Sequence, residues 1–107
     1  MTLMALGAMP VDHPLSLGML GMHAARSTNL IMQQADLLIV LGARFDDRAI
    51  GKAEQFCPDA SIIHIDIDPA ELNKNIESSI DIAGDMRTIL KLLDKGCKAH
   101  DIKDWWK

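Results

Sequence analysis

The chain has no tyrosine, and its aromatic side chains are limited to two phenylalanines and two tryptophans. Cysteine is scarce too. Cys57 and Cys97 are the two present, too few for a disulfide framework, and they lack the CxxC spacing or neighbouring histidine pair of a zinc site. Both features fit a reduced, cytoplasmic protein. There is no long hydrophobic run: the longest, Leu37 to Leu41, is far too short to span a bilayer, so no membrane is implied. No signal-peptide pattern opens the chain. There is no excess of basic residues either. With 11 Lys and Arg against 15 Asp and Glu, the net charge is −4 and no basic stripe appears, which speaks against nucleic acid as a partner. GxSxG, HExxH and Walker A sequences are all missing, as is the GxGxxG fingerprint, and neither Ser16 nor Ser27 has an obvious base. No catalytic residue is assigned, and no metal ligand.

What is there is apolar and periodic. Nearly half of the 107 residues are hydrophobic, enough for one globular domain with a modest core. Seven methionines suit adaptable packing. Short apolar segments predict strands at Thr2–Leu6, Leu37–Leu41, Ser61–Ile67 and Ile80–Ala83. The second is continuously apolar, as expected for a strand covered on both faces. Between them, Ala24, Thr28, Ile31 and Ala35 mark one stripe of a helix over Ala24–Ala35. A short helix is expected within Asp47–Phe56, before Pro58. Asp68, Pro69 and Glu71 carry the cap, first-turn proline and third-position acid of a helix start. Asp85–Lys95 presents Met86, Ile89, Leu90 and Leu93 on one face, with Asp85 as cap and Gly96 as stop. Alternation of strand and helix predicts an α/β fold: a three-layer, Rossmann-like parallel sheet with helices on both faces.

In such a sheet, ligands bind beyond the carboxyl ends of the strands. The residues there are notable. A loop with Gly7, Gly18 and Gly21 follows the first strand; Gly42, Arg44, Asp46, Asp47 and Arg48 follow the second; Asp66 and Asp68 follow the third; Gly84 and Asp85 follow the fourth. Taken singly, the glycines end strands, Asp68 caps a helix, Asp85 is a cap or a ligand, the arginines pair with neighbouring aspartates, and His23 is a loop histidine. Taken together, glycines that permit close backbone approach, planar arginine donors and carboxylates suited to ribose hydroxyls describe a dinucleotide site.

Four stretches, "HPLSLGMLGMHAARSTN", "ADLLIVLGARFDDRAIGK", "FCPDASIIHIDIDPAE" and "GDMRTIL", resemble the central domain of acetohydroxyacid (acetolactate) synthase catalytic subunits, which are thiamine-diphosphate enzymes. The likeness runs from Thr2 to about Leu93. It implies a central domain over residues 1–96, with 97–107 leading toward a C-terminal domain. It also implies that a further strand and helix belong before Thr2. In such enzymes the central domain binds FAD, while thiamine diphosphate and Mg2+ bind in the outer domains.

Carried over by matching motif, the resemblance implies FAD contacts from Thr2 and Leu3 and from Gly21, Met22 and His23 of the "GMH" loop. It further implies contacts from Gly42, Arg44, Asp46 and Arg48, with the arginines reaching flavin or phosphate oxygens. Asp66 and Ile67 would meet the adenosine ribose, and Gly84 and Asp85 the adenine end. Ala24 stands where the family has glycine; a Cβ there crowds the loop only if the residue needs positive φ. The implied parent is a homodimer or homotetramer of catalytic subunits, with a small regulatory subunit as a further partner, and the isolated segment is expected to be inactive. Two other readings stand beside this one. One is a non-catalytic nucleotide-binding or subunit-assembly module, with Trp105 and Trp106 adding apolar surface. The other is the central domain of a different thiamine-diphosphate flavoenzyme, such as pyruvate oxidase or glyoxylate carboligase.

Overall fold

The structure is a computed structural model that describes residues 1–99; Trp105, Trp106 and most of the expected 97–107 segment lie outside the described residues. Three parallel strands form one sheet in the order β1 (Leu37–Leu41), β2 (Ser61–Asp66), β3 (Ile80–Ala83). Among the described residues three helices flank it: α1 (Arg26–Gln33), α2 (Asp47–Ile50) and α3 (Met86–Gly96). This is the α/β parallel-sheet class expected from the alternating pattern. Among the described residues no helix is long and apolar enough to cross a membrane.

Register follows from side-chain alternation. Leu38 lies opposite Ile62 and Val40 opposite His64, so these four share one face of the sheet. Leu38, Ile62, Phe45, Phe56, Cys57 and Ala35 make the buried core on that face, with Met32 of α1 and Ile50 of α2 packed against it. The buried Cys57 donates its Sγ–H to Met32 O at 3.1 Å, and burial pushes its thiol pKa up. Thr28 and Asn29 tie α1 to the long loop before it. The Thr28 hydroxyl donates to Leu17 O at 2.7 Å, and the Asn29 amide exchanges two hydrogen bonds with the Gly21 backbone at 3.1 and 3.0 Å.

Several expectations are corrected. Thr2–Leu6 is not a strand: Leu3–Ala5 is a single 3-10 turn. The chain there is held by the loop rather than by the sheet, because the Met1 amino group donates to Gly18 O and Leu20 N–H to Met1 O. Within the segment, Ala5 N–H closes on Thr2 O and Leu6 N–H on Leu3 O. The Leu37–Leu41 run is correctly placed but covered on one face only. Leu37, Ile39 and Leu41, on the face away from the core, are exposed. The Asp68–Glu71 start gives a 3-10 turn over Pro69–Glu71 and no longer helix; Leu72 leaves in extended backbone and Asn73 sits at φ 56. The Asp47–Phe56 segment divides into α2 and a 3-10 turn at Ala53–Gln55, separated by Gly51. α3 begins as expected, with Asp85 accepting from the backbone N–H and hydroxyl of Thr88.

Candidate functional site

Because the strands are parallel, their carboxyl ends meet at one edge. The ladder continues one step beyond β1 and β3: Gly42 N–H donates to Ile65 O at 2.8 Å, and Gly84 N–H to Asp66 O at 2.9 Å. Gly42, Asp66 and Gly84 therefore stand side by side. The first turn of α3 returns to this edge, and Met86 Cε lies 3.8 Å from where a Cβ on Gly42 would stand.

A cavity of about 340 Å³ opens beside that edge, between the N-terminal turn and the segment after β1. Thr2, Leu3, Met22 and His23 line it from one side; Gly42, Arg44, Asp46 and Arg48 line it from the other. These eight positions, drawn from three separate stretches of sequence, are brought together by the fold. Thr2 and Leu3 arrive there from the 3-10 turn, not from a strand. Gly21 does not line this cavity. It is buried in the strap beside it, where Met22 N–H donates to Arg48 O at 2.9 Å, and it faces a second hollow of about 370 Å³ between α1 and α2.

The remaining four expected positions lie apart from the cavity. Asp66 is buried and its Oδ1 accepts Asp68 N–H at 2.9 Å. Ile67 is exposed beyond the strand end. Gly84 lies along the same edge, and Asp85 caps α3. The two Thr88 hydrogen bonds, the hydroxyl's first, hold the Asp85 carboxyl below the usual carboxylate range.

Charge is unevenly satisfied around the cavity. Asp46 Oδ1 accepts Ala49 N–H at 2.9 Å and so caps α2. Among the described residues, Arg44 and Arg48 have no carboxylate within 4.0 Å, and the one ion pair joins Lys74 and Glu71. Two guanidinium groups without carboxylate partners, beside the exposed Met4 and Met22 side chains, suit a ligand with an anionic part and a flat apolar part. No group of three or more metal-ligating side chains occurs among the described residues.

Three residues that shape this site were not singled out from the sequence. His64 is fully buried, and its Nε2–H donates to Ala43 O at 2.8 Å. Phe45 is 5% exposed, at φ 51. The Asn75 Nδ2 amide donates to Arg44 O at 2.8 Å. A histidine between two isoleucines, at the alternating position shared with Ile62, was a signal that could have been read, since a buried polar side chain needs a partner. Neither Asn75 nor the backbone of Phe45 carries one.

The family model described as "Thiamine pyrophosphate enzyme, central domain" matches residues 1–93. The chain belongs to this family. The match runs from the N-terminal turn through most of α3. The acetolactate synthase isozyme 1 large subunit of Escherichia coli is 62% identical over 105 residues, covering 98% of this chain and 19% of that protein. The probable acetolactate synthase large subunit of Methanocaldococcus jannaschii is 48% identical over 103 residues, covering 96% and 17%. The isozyme 2 large subunit of E. coli is 48% identical over 100 residues, covering 94% and 18%. The chain thus spans less than a fifth of the length of these relatives.

Proposed function

We propose that this chain is the FAD-binding central domain of an acetolactate synthase large subunit. The observation that carries the proposal is the cavity at the strand ends, where Arg44 and Arg48, with no ion-pair partners among the described residues, stand beside exposed apolar side chains. The donor set fits FAD. The guanidinium groups match pyrophosphate oxygens, and Leu3 and Met22 offer apolar wall to a flat ring. The cavity volume lies within the range of small-molecule sites. Asp66, Ile67, Gly84 and Asp85 continue along the same edge, where the adenosine half would extend. The large-subunit relatives across two kinds of organism favour acetolactate synthase over another thiamine-diphosphate flavoenzyme.

On this reading the whole protein decarboxylates pyruvate and joins the two-carbon unit to a second 2-oxo acid, a step toward branched-chain amino acids. Thiamine diphosphate, held with Mg2+ by other domains of a dimeric or tetrameric enzyme, supplies the electron sink for that chemistry when bound. The residues of this chain hold and orient the flavin and take no part in the reacting atoms, so the chain alone is inactive. Mixing the chain with FAD, desalting and recording the flavin absorbance tests the binding; a spectrum without retained flavin overturns it. Incubating the full gene product with pyruvate, thiamine diphosphate, Mg2+ and FAD tests the activity, and failure to form acetolactate removes that assignment.

A second reading, a subunit-assembly module, is favoured by the exposed Leu37, Ile39 and Leu41 of β1. It predicts association without retained flavin.

A further inference from the structure

The arginine-bearing turn after β1 is held in an unusual way. Gly42 continues the β-ladder, but Phe45, three residues later, sits at φ 51, a left-handed region that a bulky side chain avoids. Such a conformation persists only where its surroundings over-determine it. Here the surroundings are specific. The Phe45 ring is buried edge-on between Phe56, with centroids 6.0 Å apart, and His64, at 4.9 Å. The two carbonyls preceding Phe45 are each gripped by a side chain from elsewhere: Ala43 O by His64 Nε2–H at 2.8 Å, and Arg44 O by the Asn75 amide at 2.8 Å. His64 comes from the centre of β2 and Asn75 from the loop after it. Neither lines the cavity. His64 is fully buried with Nδ1 unpartnered, so the single bond to Ala43 O is the polar contact that this buried imidazole makes.

We infer that His64 and Asn75 are positioning residues that fix the Ala43–Arg44–Phe45 turn and thereby aim Arg44 at an anionic group bound in the cavity. The inference rests on the flavin reading and adds how the anion-binding side chain is oriented. Without the clamp, the turn relaxes out of the left-handed backbone and the Arg44 fork loses its fixed direction.

The test is a double-mutant cycle read by flavin fluorescence as the dissociation constant of the full chain for FAD. His64→Leu and Asn75→Ala each weaken binding about five- to tenfold, the scale of one lost hydrogen bond. In an Arg44→Gln background each costs less than about twofold, because the group they position is gone. His64→Gln, whose amide can still donate to Ala43 O, stays within about twofold of the unaltered chain. Asn75 is exposed, so Asn75→Ala leaves the core intact and keeps the test decisive even if His64→Leu does not fold. Losses that add fully in the Arg44→Gln background, or a His64→Gln loss as large as that of His64→Leu, overturn the positioning role while leaving the flavin reading standing. An unaltered chain that binds no FAD overturns both.

Discussion

Gly21 shows how much of the site depends on a single backbone position. Its φ is +103, and a Cβ would collide with Arg48 O and come within 2.9 Å of Ala49 Cα. Both its backbone groups bond Asn29, and its neighbour Met22 bonds Arg48. Glycine here allows the loop to press against α2, which closes the cavity wall. Gly21→Ala is expected to cost at least about 2 kcal/mol, from strain and backbone displacement together, and to lower the urea midpoint correspondingly. An unchanged midpoint means the two backbones need not approach. Ala24, three residues on, is the contrasting case. Its φ is not positive, and its N–H simply closes a turn on Gly21 O at 3.0 Å. The Ala24 methyl group therefore carries no positive-φ strain, and Ala24→Gly is expected to cost under about 1 kcal/mol, through unfolded-state entropy.

At the scale of elements, β1 has two faces with different energetic weight. Leu38, 8% exposed, lies in the core, whereas Ile39 is 51% exposed. Leu38→Ala is expected to destabilise by about 2–5 kcal/mol, and Ile39→Thr by no more than about 0.5 kcal/mol; denaturant titration of both variants distinguishes them, and equal losses would mean the outer face is covered after all. At α3, the depressed pKa of Asp85 arises from its Thr88 hydrogen bonds. A carboxyl whose folded pKa lies below its unfolded value stabilises the folded state above the unfolded pKa, and this contribution is lost as pH falls through the lowered value. α3 is accordingly expected to fray on acidification below the ordinary aspartate range. Asp85→Asn should flatten that pH dependence, because a neutral amide caps at all pH values; far-UV circular dichroism against pH reads both. The same elements show what the sequence could reveal. β1, β3 and α3 were legible because hydrophobic period and cap residues point to one answer. Thr2–Leu6 was not, because a strand-like composition cannot tell whether a neighbouring strand exists to take its hydrogen bonds; here Ala5 and Leu6 N–H close on Thr2 O and Leu3 O, and the loop at Gly18–Leu20 holds only Met1. Eight of the positions that line the cavity were named by motif, but the clamp was not. A hydrogen bond from Asn75 to Arg44 O joins positions 31 apart and leaves no local pattern.

At the scale of the whole molecule, the open questions of surface and assembly converge on β1. Among the described residues the strand order places it at the edge of the sheet, with no strand paired on its outer side, and its outward side chains Leu37, Ile39 and Leu41 are exposed. An apolar edge strand of this kind templates association. None of these three side chains lines either hollow, so a ligand in the cavity does not cover them, and association and flavin binding should vary independently. The chain is therefore expected to show concentration-dependent self-association by sedimentation velocity, with or without FAD, above its 11.8 kDa monomer. Replacing Ile39 and Leu41 together by lysine places two charges on the edge, a device that natural sheets use to block pairing. It should shift the distribution toward monomer while leaving the buried Leu38 face, and hence the fold, in place. Association that persists undiminished in the double-lysine variant would exclude β1 as the contact and direct attention to the other exposed apolar side chains, Leu3, Met4 and Val11 of the N-terminal loop. Of these, Leu3 and Met4 line the cavity, so association through them would compete with FAD, and adding the flavin would then separate the two surfaces.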